Sequence, residues 1–206
     1  MKFSVITAAS RSLEVMKNLR ACFEKQTFKD FEHIIVYDGP PPEDIKKYLV
    51  GEPVVFDFLP AKDGRYGTAP RNRGTELASG EFIIFADDDD YYSEYYLQAF
   101  ADLEPDNNSL CVVRMNDYGR ILPGVPINKF PQNCDVGTPM CCFPRIWFDN
   151  INIRWEYHGG YSHDFEFVKK CTDTYKPIIK YSDKVVVAAR NLGRLAEYDL
   201  LDSLPF

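Results

Sequence analysis

Phe82-Ile83-Ile84-Phe85-Ala86 runs without a polar interruption and stops in four consecutive aspartates, Asp87-Asp88-Asp89-Asp90. A short apolar run without alternation predicts a strand covered on both faces, as in a parallel sheet. Four adjacent carboxylates repel one another, and burial makes each harder to ionise. They are tolerable at a strand end that opens to solvent, or where a cation neutralises them. In open α/β sheets, ligands bind at the carboxyl ends of strands. Hard cations such as Mg2+ and Mn2+ take oxygen ligands, often one or two carboxylates completed by substrate phosphates. A solvated acidic turn is the competing reading of these four residues taken alone.

The neighbouring segments supply the sheet that such a strand needs. Residues 3–7 are β-type, and residues 8–12 are small and polar, a tight turn at a strand's carboxyl end. Leu13, Met16, Leu19, Arg20 and Phe23 recur at helical spacing, which predicts a helix over 12–25 with Ser12 as N-cap. Residues 31–37 read as a second strand ending at Asp38-Gly39. Strand, helix and strand make a βαβ unit, hence parallel strands and a right-handed crossover. A short helix over 43–50 and a strand over 54–59 follow. Residues 62–73 form a loop broken by Gly64, Gly67 and Pro70, and locally basic through Lys62, Arg65, Arg71 and Arg73. A helix over 69–78, with Gly80 as its C-cap, leads into the aspartate strand. Ser93 is placed to cap a helix ending near residue 102, and 110–115 is another strand. The alternation is that of an α/β nucleotide-binding architecture.

Beyond residue 115 the pattern loosens. Residues 119–138 carry Pro123, Pro126 and Pro131 and read as a loop or short excursion over the sheet. A strand over 139–143, a helical turn over 145–150 and an extended aromatic stretch over 151–158 come next. A helix over 163–172 and one or two strands within 175–187 follow. Residues 188–206 are polar and expected to be partly mobile.

Composition removes some function classes. A net charge of −7 argues against nucleic acid as the main partner, since phosphate backbones demand a basic footprint. A polyphosphate remains possible where a metal and a few arginines act locally. The six cysteines show neither a Cys-x-x-Cys pair nor zinc spacing, so free, mostly buried thiols in a reducing cytoplasm are expected. No signal-type apolar region follows Lys2, and no apolar span reaches about 18 residues. No transmembrane segment is therefore expected, although peripheral membrane contact stays open.

Three separated pieces of the chain share an order and spacing with one family. Ser4-Val5-Ile6-Thr7, then Gln26-Thr27 and residues 31–39, resemble the first βαβ unit of family 2 glycosyltransferases. Ala69-Pro70-Arg71-Asn72-Arg73-Gly74, with residues 78–90, resembles their second half-motif, including the Asp-x-Asp signature. His163-Asp164-Phe165-Glu166-Phe167 is similar to their later acidic helix start. The resemblance covers roughly residues 3–171 and implies a GT-A fold: a Rossmann-like mixed sheet with helices on both faces, in a single domain. Residues 1–115 would be its nucleotide-sugar half and residues 116–206 its acceptor half. It also implies inverting transfer from a nucleotide-diphosphate sugar, most often a UDP-sugar, to a glycan or glycoconjugate acceptor.

The resemblance carries roles to individual residues. Thr7 would meet the base or ribose of the donor at the end of the first strand. Asp38 would accept the imide N–H of the base, though an Asp-Gly turn explains it equally well. Arg71 would contact base or phosphate. Asp89 would ligate Mn2+ or Mg2+ directly, with Asp87 or Asp88 holding the ribose or sharing the ion. Asp164 would be the general base for the acceptor hydroxyl; its competing role is a helix N-terminal carboxylate. His163 stands where a Glu is common. Trp155, His158 and His163 would line the acceptor side, and Arg190, with Arg194, would close over the diphosphate.

Other assignments fit less well. A phosphohydrolase of the aspartyl-phosphate type needs its Asp-x-Asp on the first strand, and a sugar-phosphate nucleotidyltransferase needs a Gly-rich opening turn where this chain has Ala8-Ala9-Ser10-Arg11. A calcium loop counted from Asp87 lacks its Gly and Glu. A nucleotide-sugar-binding protein without turnover is the non-enzyme alternative.

Overall fold

A computed structural model of the protein describes residues 1–159 and 162–189. Its strands are β1 (Phe3–Ala9), β2 (Phe31–Tyr37), β3 (Val55–Phe58), β4 (Phe82–Asp87), β5 (Tyr91–Tyr92), β6 (Ser109–Asp117), β7 (Arg120–Leu122), β8 (Cys141–Pro144) and β9 (Ile178–Ala188). Its helices are α1 (Leu13–Glu24), α2 (Glu43–Val50), α3 (Thr68–Leu77), α4 (Tyr96–Asp102) and α5 (His163–Tyr175). The sheet runs β3-β2-β1-β4-β8-β6-β9-β5, with β7 paired to β6. The first four strands are parallel, as the βαβ pattern requires. The apolar run of β4 is buried from Phe82 to Ala86, which explains its missing alternation. Strand β8 is antiparallel to both β4 and β6 and lies between them.

Side-chain alternation along β1 places helices on both faces. Gly74 of α3 sits directly against Ile6. Thr7, one residue on, points the other way and meets His33 of β2 through its hydroxyl at 3.0 Å. Above His33 lies α1, through Phe23 at a ring distance of 4.4 Å and Arg20, whose guanidinium reaches His33 Nδ1 at 3.1 Å. A guanidinium can only donate, so Nδ1 accepts and the imidazole carries its proton on Nε2, donating to Thr7. Burial, with the Arg20 charge adding, holds His33 well below its ordinary pKa and keeps it neutral.

Several element ends differ from expectation. Ser12 is the N-cap of α1 but makes no side-chain capping bond. Gly80 does not cap α3: the helix ends at Leu77, with extended Ala78 as its C-cap. A Cβ on Gly80 would stand 2.7 Å from the Ser4 amide nitrogen, so the glycine answers to close backbone approach. Helix α4 starts at Tyr96, and buried Ser93 contributes its carbonyl to the Tyr96 N–H. The proline-rich excursion contains β7 and a 3-10 turn at Ile127–Lys129. All six cysteines are unpaired, and only Cys134 is exposed. Among the described residues, no helix is long and apolar enough to cross a membrane.

Glu32 ties the amino ends of these strands together. Its Oε1 accepts from the Ser4 hydroxyl (2.6 Å), from the Ser79 amide and hydroxyl (2.7 and 2.8 Å) and from the Gly80 amide (3.2 Å). Burial raises its pKa, but these donors outweigh it and leave Glu32 below its ordinary 4.5. A depressed folded-state pKa gives stability that is present above the unfolded value and lost as pH falls through the folded one. Glu32→Gln is therefore expected to cost about 1 kcal/mol at neutral pH, solvent screening included. Thermal melts between neutral pH and pH 3 should show the two proteins converging on the acid side; a constant gap would disprove the linkage.

Candidate active site

A cleft of about 550 Å³ opens at the carboxyl ends of β1, β2 and β4, where a parallel sheet binds ligands. The pairing of β1 with β4 sets Ala8 beside Asp87 and brings the turn after β1 against the aspartates. The four carboxylates are not a solvated turn, because each has a different environment. Asp87 Oδ1 accepts from Arg71 Nη2 at 2.6 Å, and Arg71 is itself only 5% exposed. Asp88 is buried and accepts the Ser10 amide at 2.8 Å, with Arg11 Nε at 3.5 Å. Burial, reinforced by the neighbouring Asp89 and Asp87, pushes Asp88 up to about 6 despite the Ser10 amide and Arg11. Asp89 is partly exposed and pairs with Arg11 Nη2 at 2.6 Å. Asp90 is buried in the same wall.

Arg71 is the hub of the floor. It also donates from Nη1 to the Tyr66 carbonyl at 2.7 Å, and its guanidinium lies 4.6 Å from the centre of the Trp155 ring. Buried among Asp87, Asp164 and Asp88, it is held above its ordinary pKa although burial opposes this. Asp38 stands at the other end of the cleft. Its two oxygens accept the Asp63 and Gly64 amides at 2.7 and 3.0 Å, which hold the loop before α3 over the end of β2.

Asp164 enters from the first turn of α5. Its Oδ2 accepts the Thr138 amide at 3.1 Å; its Oδ1 is enclosed, has no hydrogen bond, and lies 3.3 Å from His163 Nε2. Burial raises its pKa and Asp87 adds to this, while Arg71, His163 and the Thr138 amide pull it back. The His163 ring stacks on Tyr66 at 5.6 Å, and Tyr66 in turn meets Tyr157 at 5.8 Å. Tyr66 is half exposed and holds a φ of 49°, uncommon for a residue with a side chain.

The cleft thus gathers Asp38, Arg71, Asp87, Asp88, Asp89, His163 and Asp164. Three residues expected there lie elsewhere. β1 continues to Ala9, so Thr7 is a fully buried strand residue bound to His33, and Ala8 to Arg11 face the cleft instead. Trp155 lies beneath the floor, 3% exposed, because its ring is packed between Arg71 and Phe167, the latter 3.9 Å away and nearly parallel. Its backbone is fixed by reciprocal bonds with the Asn72 amide group at 2.9 and 3.0 Å. His158 points outward, pairs with Glu156 at 3.3 Å and borders a separate small hollow. Arg190 and Arg194 lie outside the described residues. Arg11, Tyr66 and Thr138 join the cleft unannounced; only the β1–β4 pairing reveals the first, and the unusual φ marks the second.

Among the described residues no group of three or more His, Cys, Asp or Glu side chains converges as a metal cage. Of the carboxylates that could hold a cation, Asp89 lies at the cleft surface with Asp88 behind it, while Asp87, also expected at the metal, is paired with Arg71. That fits a hard cation whose remaining ligands are phosphate oxygens and water.

Comparison with known proteins gives the family and the fold. Residues 4–164 match the family described as Glycosyl transferase family 2. The chain is 30% identical over 139 residues to the poly(ribitol-phosphate) beta-N-acetylglucosaminyltransferase TarS of Staphylococcus aureus, covering 64% of this chain and 24% of that protein. It is 28% identical over 102 residues to the amylovoran biosynthesis glycosyltransferase AmsB of Erwinia amylovora, covering 48% and 34%. It therefore spans about a quarter to a third of the length of these curated relatives. The crystal structure of S. aureus TarS 1-349 superposes with a TM-score of 0.72 at 23% identity, over 98% of this chain and 65% of that one. The mannosyltransferase PcManGT from Pyrobaculum calidifontis, in complex with GDP-Man and Mn2+, gives 0.68 at 11% identity, over 92% and 56%. The fold is the GT-A fold that the sequence resemblance implies, and on the match over residues 4–164 the chain belongs to glycosyl transferase family 2.

Proposed function

We propose that the chain transfers a sugar, with inversion, from a nucleotide-diphosphate sugar to a hydroxyl of a glycan or glycoconjugate, using Mn2+ or Mg2+. A UDP-sugar is the favoured donor, because TarS has been crystallised with UDP and with UDP-GlcNAc. The observation that carries the reading is the convergence of Asp164, Asp89 and Asp38 on one cleft. Nucleotide, diphosphate and acceptor would then lie in that order from β2 to α5. Asp38 keeps lone pairs for a base N–H while holding its loop. Asp89, with Asp88, is the carboxylate pair for the cation, which supplies charge neutralisation for the departing diphosphate.

Asp164 performs the proton transfer. Its raised pKa makes it a better base than an ordinary carboxylate. The acceptor hydroxyl gives its proton to Asp164 as its oxygen bonds the anomeric carbon. The bond from that carbon to the diphosphate breaks on the opposite side, through an oxocarbenium-like centre. His163 and Tyr66 form the wall beside the base, on the acceptor side.

A thermal-shift panel of UDP, GDP, dTDP and CDP sugars, with and without Mn2+, tests donor and metal together. A donor at about 100 times its Kd should stabilise the fold by about 2.7 kcal/mol. The largest shift is expected for a UDP-sugar with Mn2+, and Asp89→Asn should lose the Mn2+-dependent part. No shift with any nucleotide sugar would defeat the assignment.

A further inference from the structure

Arg11 spans the two carboxylates assigned to the cation, Asp89 at 2.6 Å and Asp88 at 3.5 Å. Its backbone is pinned on either side: the Ser10 amide binds Asp88, and the Tyr37 hydroxyl donates to the Arg11 carbonyl at 3.1 Å. Its side chain is different, being 52% exposed and projecting from the connection between β1 and α1. Arg71 is the contrast, since its side chain is only 6% exposed and its guanidinium is already committed to Asp87. Of these two cations, Arg11 alone can leave its carboxylate by turning about side-chain bonds.

We propose that Arg11 is the resting counter-ion of Asp89, displaced when the divalent cation loads, so that metal and nucleotide diphosphate enter as a unit. This inference rests on the metal-dependent reading above. A guanidinium and a divalent ion compete for the same oxygen and repel each other when both are near it. Metal arriving alone must break a charge-assisted hydrogen bond and leave Arg11 beside a like charge. Metal arriving with a diphosphate brings the negative charge that both cations need, and the released guanidinium gains phosphate oxygens as new acceptors. The two ligands are then coupled through one side chain, each raising the affinity for the other.

The test is a calorimetric Mn2+ titration of the wild-type protein, Arg11→Gln, Arg11→Lys and Asp89→Asn, each with and without UDP. Arg11→Gln is expected to bind Mn2+ alone about two- to fivefold more tightly than wild type, the worth of a partly exposed ion pair. The gain that UDP confers on Mn2+ binding should shrink in the same variant. Arg11→Lys, which keeps the charge, should stay near wild type and guards against a general packing effect. Equal Mn2+ affinity in wild type and Arg11→Gln, with binding still dependent on Asp89, overturns the counter-ion role and leaves the metal reading intact. Failure of every protein to bind Mn2+ even with UDP overturns both.

Discussion

Asp164→Asn should lose about 10²–10⁴-fold in kcat while binding UDP as tightly as the wild type. The substitution is isosteric, and the Asn carbonyl can still accept the Thr138 amide that now binds Oδ2. What disappears is the ability to take a proton. Removing one negative charge near Arg71 and Asp87 leaves that pair intact, so the fold should hold. The pH profile adds a second check. The base works only when ionised, so activity falls as pH drops through its pKa, and burial sets that limb above the ordinary carboxylate value of 3.8. Single-turnover rates and UDP titrations on both proteins decide the matter. A kcat within a few-fold of wild type would assign proton removal to another group.

Arg71→Met should produce the largest loss of stability, about 3 kcal/mol, by removing one member of a buried ion pair. Methionine can fill the volume over Trp155, but it offers nothing to Asp87 or to the Tyr66 carbonyl. Asp87 is still 30% exposed, and water softens the penalty. Urea unfolding should show a lower midpoint with an unchanged slope. Activity should suffer as well, since Arg71 pulls the Asp164 pKa down and its loss moves the acid limb to higher pH. An unshifted midpoint would show that Arg71 is not what holds the floor together.

Much of this architecture can be read from local pattern, for reasons visible in the structure. Phe82 to Ala86 lack alternation because both faces of β4 are covered, and Leu13 to Phe23 repeat at helical spacing because one face of α1 packs on the sheet. The position of β8 is not legible in this way. Four residues carry too little periodicity to choose a partner, and insertion between β4 and β6 is a tertiary choice. The same limit governs the site. The Asp-x-Asp and Asp164 are marked by residue type and spacing, so the sequence points to the cleft. Trp155 and Tyr66 are both aromatics near a glycine, yet one is buried beneath the floor and the other forms the wall. Arg11 becomes a partner of Asp89 only through the β1–β4 register, which no window of sequence contains.

The late arrival of β8 also bears on how the protein is made. Until residue 144 has been synthesised, β4 has an open flank of aromatic and aliphatic residues, a template for joining another chain edge to edge. The strand that seals the β4 side of the sheet is encoded after the proline-rich excursion. Exchange of later segments between relatives has to leave Cys141–Pro144 with the strands it joins.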